Sequence, residues 1–123
     1  MLNNLKFGNG KLQVVFIIIS LAGLYLTTYI NYLLFHTLAE LFSIVIAFSF
    51  FTIAWNAKEH IKNQYILFIG IVYLFIGFID LLHTLTYKGL PFFPGTHDYA
   101  TQLWIAARYL ESVSLLVAFY FLE

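Results

Sequence analysis

The amino-acid sequence predicts an all-α, polytopic integral membrane protein built as a bundle of four transmembrane helices. Three observations carry that prediction. Apolar residues make up 62% of the 123, charged residues only 10%, and the apolar residues gather into four stretches that each suffice to cross a bilayer. Soluble domains carry about 25% charged residues, so this chain lacks the polar surface to cover a water-facing globule. A span needs about 20 consecutive apolar residues. The aromatic content of 20%, mostly Phe and Tyr, suits lipid contact and the interfacial belts of a membrane.

Taken in order, the first expected span covers residues 12–35 without a charge, and the second covers 36–57, interrupted by Glu40. The third covers 64–87 and carries Asp80 and His83 near its end. The fourth covers 101–122, with Arg108 and Glu111 near its middle. Lys11 ahead of an apolar run, with Ser20-Leu21-Ala22 inside it, faintly resembles a cleaved signal. A signal's apolar core is only about 7–15 residues long, however, and this run continues to Phe35. It reads as an anchor.

The connections are short. Residues 31–36 allow at most a tight hairpin, and residues 58–63 form a charged loop. Residues 88–100, with Gly89, Pro91, Pro94 and Gly95, form a structured turn region. Lysines in the flanks set the orientation. Lys6, Lys11, Lys58 and Lys62 fall on one side and Lys88 alone on the other. The N-terminal segment 1–11 and the 58–63 loop are therefore expected in the cytoplasm, and the hairpin and the Pro-containing loop outside.

Ionisable side chains inside a span cost about 2.5–3.5 kcal/mol each on insertion scales and are functional candidates by default. Here they share a depth. At ~1.5 Å rise per residue, Glu40, Asp80 and Arg108 each lie roughly 6–12 Å inside the outer ends of their helices, with Glu111 about a turn deeper. They also share faces. His36 and Glu40 are an i,i+4 pair, followed on the same side by Ser43, Ala47 and Ala54, small enough to let another helix approach closely. Asp80 and His83 are an i,i+3 pair, and Thr101, Trp104, Arg108 and Glu111 form one stripe on the fourth helix. His60 and His97 read as interfacial side chains, and Tyr87 and Trp104 also fit an ordinary aromatic belt.

Three carboxyls (Glu40, Asp80 and Glu111) face one guanidinium. Two negative charges left uncompensated in low dielectric are costly, so protons, imidazolium or a bound cation must balance them. The spacing His-x-x-x-Glu and Asp-x-x-His places imidazole and carboxylate on single helix faces, which suits a divalent metal held by His36, Glu40 and His83. The same histidines suit a pH sensor, and His36 with His83 would suit a haem if they faced one another. The bland alternative is an ion pair between Arg108 and Glu111 or Asp80 that only fixes helix register.

Other classes are excluded or unsupported. With net charge zero and no basic patch, nucleic acid is not a partner. Without cysteine there is no disulfide or thiolate site. No phosphate-binding loop, nucleophile elbow or zinc-protease signature occurs, so no enzyme is expected.

At these same residues the chain resembles a known family. The runs Phe35-His36-Thr37-Leu38-Ala39-Glu40-Leu41-Phe42-Ser43, Asp80-Leu81-Leu82-His83-Thr84-Leu85-Thr86-Tyr87-Lys88-Gly89 and Ala100-Thr101-Gln102-Leu103-Trp104-Ile105-Ala106-Ala107-Arg108-Tyr109-Leu110-Glu111-Ser112 are similar, in order, to blocks of a bacterial membrane-associated sensor family, the third of the series abbreviated MASE. The resemblance covers about residue 31 to the end. It implies a sensory input module in the bacterial inner membrane, usually fused to histidine kinase, diguanylate cyclase or phosphodiesterase domains. It thus points to two-component or cyclic-di-GMP signalling and to an output domain as partner. Domains of that family continue through further helices, so the resemblance also implies that this chain is a truncated front part.

The resulting expectation is a ligand, metal or proton sensor whose pocket comprises His36, Glu40, Asp80, His83, Arg108 and Glu111, with Trp104 as a wall. It contacts the lipid bilayer and works either singly or as a homodimer. An ion- or proton-transport unit, or a haem- or metal-carrying electron-transfer bundle, is the alternative. A transport path would need inner-half polar residues beyond Ser49, Thr52 and Asn56.

Overall fold

The computed structural model describes residues 10–60, 64–90, 92–93 and 97–122. Among them the chain is all-α, with no strand. The helices are α1 (Gly10–Ile30), α2 (Tyr32–Ala57), α3 (Gln64–Thr86) and α4 (His97–Ala118), and a 3-10 turn at Phe119–Phe121 follows α4. All four are long and apolar enough to cross a membrane. Lys6, Lys62, Pro91, Pro94, Gly95 and the side chain of His97 lie outside the described residues.

Two helix boundaries differ from the expected ones. The break between the first two helices falls at Asn31, not near residues 35–36. Asn31 is the better breaker because its Oδ1 accepts the Leu33 backbone N–H at 2.8 Å, capping one of the donors that a helix start leaves without a partner. Apolar pattern alone cannot see this, since residues on both sides are equally apolar. The fourth helix begins at His97, four residues earlier than expected. Asp98 lies in its first turn, where a negative charge suits the helix dipole. The end of α3 is closed by a turn in which Leu90 N–H donates to the Tyr87 carbonyl at 3.1 Å. Gly89 supplies its φ of 100°, a conformation that side chains disfavour.

The chain divides into two compact units, residues 1–39 and 40–123. In the first, α1 has no buried residue. Its polar groups turn inward on the helix itself: Thr27 and Thr28 donate to the Leu24 and Tyr25 carbonyls. The Tyr25 and Tyr29 hydroxyls meet at 3.1 Å. Such local pairing lets a polar side chain persist where no water is at hand.

In the second unit α3 is the central helix. Its partners on α4 run backwards as α3 runs forwards: Phe68 stacks on Phe121, Tyr73 meets Glu111, Asp80 meets Arg108, and His83 meets Ala100. The partners on α2 do the same: Ala54 lies against Gly70, Phe50 against Tyr73, Phe48 against Phe78, and Glu40 against His83. Helices α2, α3 and α4 therefore pack as an antiparallel meander. The central place of α3 explains its long buried stripe, Ile69, Gly70, Val72, Ile76, Gly77, Asp80, His83 and Thr84, whose 3–4 spacing is that of one helix face.

Small residues make the approach close. On α4 the buried positions are Ala100, Ala107, Ser114 and Ala118, a nearly heptad series, and Ala107 packs with Val72 and Ile76. Toward α2, a Cβ on Gly70 would overlap the Ala54 methyl, and one on Gly77 would lie 3.1 Å from the Phe48 ring and 3.3 Å from the Ala47 methyl. Both glycines are thus used within the unit. Large apolar side chains face outward instead, as expected where the solvent is lipid. At the end of α2, Lys58 Nζ stands 4.0 Å over the Trp55 ring, an aromatic and a cation paired as at a membrane–water boundary.

Gly70→Ala is expected to destabilise the fold by about 1–3 kcal/mol, the range for overpacking. Gly23→Ala in the middle of α1, where a Cβ meets nothing within 4 Å, should instead stabilise by about 0.5–1 kcal/mol through helix propensity. Thermal unfolding in detergent, followed by circular dichroism, measures both.

Candidate functional site

The polar residues that the spans carry converge where α3 meets its two neighbours. Asp80 and His83 occupy the buried stripe of α3, each 5% exposed. Burial at that level in an apolar span is tolerated only with partners, and the partners come from α4 and α2.

From α4, Arg108 supplies both ends of its guanidinium. Nη2 donates to Asp80 Oδ2 at 2.7 Å, and Nη1 lies 3.0 Å from Glu111 Oε2, one turn along its own helix. The planar fork of Arg is suited to spanning two carboxylates in this way, with charge-assisted bonds roughly twice as strong as neutral ones. Glu111 is completed by α3: the Tyr73 hydroxyl donates to its Oε1 at 2.9 Å. The result is a continuous chain, Asp80–Arg108–Glu111–Tyr73, that begins and ends on α3 and is clasped by α4. Among the described residues, Asp80 Oδ1 and Arg108 Nε are buried without a hydrogen-bond partner.

The second branch runs through His83. Its Nδ1 lies 2.7 Å from the Ala100 carbonyl oxygen. A carbonyl only accepts, so Nδ1 carries the proton and donates it. That fixes the ring and directs Nε2 at Glu40 Oε1 on α2, 3.9 Å away. The Tyr87 ring packs edge-on against the imidazole one turn later. His83 therefore touches all three helices of the unit, and the side chain of Glu40 is 21% exposed.

Of the residues expected at the site, Glu40, Asp80, His83, Arg108 and Glu111 are brought together within the second unit. Trp104 is not a wall of the buried cluster. It is 47% exposed and lines a shallow outer groove with Ile105, Arg108, Tyr109 and Ser112. The reason is helix phase: the buried face of α4 follows its alanines and serine, so the expected Thr101–Trp104–Arg108–Glu111 stripe lies on the flank of that face. Arg108 and Glu111 reach inward only because their side chains are long. His36 belongs to the first unit, half-buried, with its ring centroid 6.3 Å from that of Tyr32. Two participants were not foreseen, Tyr73 and the Ala100 carbonyl. Tyr73 had a legible signal, since it lies two turns before Asp80 on the same face of α3. A backbone carbonyl leaves none.

The family model for a membrane-associated sensor domain, MASE3, matches residues 27–123. The chain belongs to that family. The match takes in every residue of the cluster and bears out the resemblance noted from its three sequence blocks. No curated protein and no solved structure matches the chain. As a MASE3 domain with four helices able to cross a membrane, it is a multi-pass membrane sensor domain whose spans contact lipid, and sensing rather than catalysis is what its family points to.

Removing one partner of a buried ion pair strands the other. Arg108→Met is therefore expected to destabilise the MASE3 domain by more than Arg108→Met combined with Asp80→Asn. A double-mutant cycle on thermal unfolding should return a coupling of about 0.5–3 kcal/mol. Additive effects would mean that the two groups are not paired.

Proposed function

We propose that this chain is the sensory input module of a bacterial signalling protein in the inner membrane. The stimulus is read at the polar cluster of Glu40, Asp80, His83, Arg108 and Glu111, and a cytoplasmic output domain, such as a histidine kinase or diguanylate cyclase, receives the signal. One observation carries this reading: an apolar helix pair invests a partly buried Asp80–Arg108–Glu111–Tyr73 chain in holding α3 to α4. For stability alone, hydrocarbon packing of similar volume would serve as well or better, and fixing the helix register takes one ion pair, whereas this cluster gathers three carboxyls. A site with three carboxyls, one guanidinium and one imidazole responds to any change in bound charge. A ligand that prefers one packing of the three helices over another shifts the population between them.

The transport alternative finds less support. Of the inner-half polar residues, Thr52 donates to the Phe48 carbonyl and Asn56 to the Thr52 carbonyl, both on the exposed side of α2. They satisfy their own helix and do not continue the polar cluster inward. A homodimer, if formed, would use a face other than Gly70 and Gly77, which pack against α2.

The orientation follows the lysines, with Lys58 cytoplasmic and Lys88 outside. The chain has no cysteine, so single-cysteine labelling tests this directly. In intact cells a membrane-impermeant maleimide should label Lys88→Cys and spare Lys58→Cys, and the opposite pattern would invert the topology. For sensing, Arg108→Met and Asp80→Asn in a receptor carrying this domain should abolish the stimulus-dependent change in output while the protein still reaches the membrane. An unchanged response in both variants would sink the assignment of the cluster as sensor.

A further inference from the structure

We propose that Glu40 and His83 are two ligands of a divalent transition-metal site, of the kind that takes zinc, at the seam between α2 and α3. Four features of the structure lead there. First, His83 is already set up as a ligand. Metal-bound histidines nearly always donate their other ring N–H to a carbonyl or carboxylate, which fixes the tautomer and the ring plane. Here the Ala100 carbonyl takes that proton at 2.7 Å, on a residue that is itself 3% exposed, and the lone pair of Nε2 is turned to Glu40.

Second, the gap is close to what an ion spans. Hydrogen-bonded N and O atoms lie about 2.7–3.2 Å apart, so the 3.9 Å between Nε2 and Glu40 Oε1 is too long for a direct bond. Two ligands each about 2.0–2.2 Å from a shared tetrahedral zinc stand about 3.4 Å apart, so an ion enters the observed gap once the seam closes by about half an ångström. Third, the charge fits. With neutral His83, the ionised cluster of Glu40, Asp80 and Glu111 against Arg108 carries two excess negative charges, which one divalent cation balances. Fourth, Asp80 Oδ1, on the helical turn before His83, is buried with no hydrogen-bond partner among the described residues. It holds unsatisfied negative potential on the same side of the cluster.

The donor set selects the metal class. Imidazole with carboxylate suits zinc, iron(II) or manganese; calcium and magnesium take oxygen alone, and copper(I) prefers the sulfur that is absent here. Binding would draw α2 onto α3 at their outer ends, because its two ligands come from different helices. The claim of binding stands by itself. Only the role of the metal as stimulus rests on the sensory reading above.

The test uses the full chain in lipid nanodiscs, stripped of metal and titrated with zinc against a chromophoric chelator. The expected result is one zinc per chain, with affinity reduced at least about tenfold by Glu40→Gln and by His83→Gln. Glu40→His, which exchanges one ligand for another, should retain most of the affinity, and His60→Ala in the distant loop should retain all of it. Unchanged helicity by circular dichroism separates lost ligands from lost fold, and cobalt substitution should give a visible d–d spectrum that His83→Gln removes. No zinc uptake by the wild-type chain, or uptake that both Glu40→Gln and His83→Gln leave intact, overturns the site. Zinc bound here with a receptor output indifferent to zinc overturns its role as stimulus, and leaves the sensory reading to the Arg108 and Asp80 variants.

Discussion

The acids that α3 and α4 bring together depend on Arg108 holding two carboxylates at once. An arginine in an apolar span is costly, and a carboxylate beside the hydrocarbon is no better placed alone. Together, at 2.7 and 3.0 Å, they form a group that the span can contain, with Tyr73 satisfying one more oxygen. The arrangement is asymmetric in a useful way. The Arg108 side chain keeps 40% of its exposure while Asp80 keeps 7%, so the bridge joins a buried acid to a base near the rim of the packed face. Its geometry fixes the register of α3 on α4, which in turn places Ala100 under His83.

Composition and the length of apolar runs decide the architecture of such a chain, and both are visible without coordinates. The four helices, the all-α class and the gathering of polar residues from three separate helices could all be read from residues. Phase was harder. On α4 the expected face was assigned by its polar residues, Thr101, Trp104, Arg108 and Glu111, whereas packing is decided by the small ones, Ala100, Ala107, Ser114 and Ala118. In lipid no hydrophobic force drives helices together, and what determines the seam is how closely two backbones can approach. A pattern search keyed to polarity therefore finds the neighbourhood of the site and rotates one of its walls.

The boundary at Asn31 teaches a related lesson. Between two equally apolar segments the hydropathy profile carries no mark, and a single amide oxygen accepting the Leu33 N–H decides where one helix stops and the next starts. The glycines show the reverse situation. The spacing of Gly70 and Gly77 suits close packing inside the chain or between copies equally well, and the answer lies in what a missing Cβ would have touched, which is α2.

The alanine seam has a mechanical consequence. Side chains without rotamers lose no conformational entropy on packing and offer no alternative packings to move between, and the Arg108 bridge pins the same seam electrostatically. Helices α3 and α4 should thus behave as one stiff plank. On its opposite side α3 meets α2 through Gly70 and Gly77 against Ala54 and Ala47, with Phe48 and Phe50 set against Phe78 and Tyr73 beside them, and through a histidine–glutamate contact at 3.9 Å. The joint to α4 is held by both the alanines and the guanidinium bridge, so relative movement within this unit is expected at α2 and not inside the α3–α4 pair.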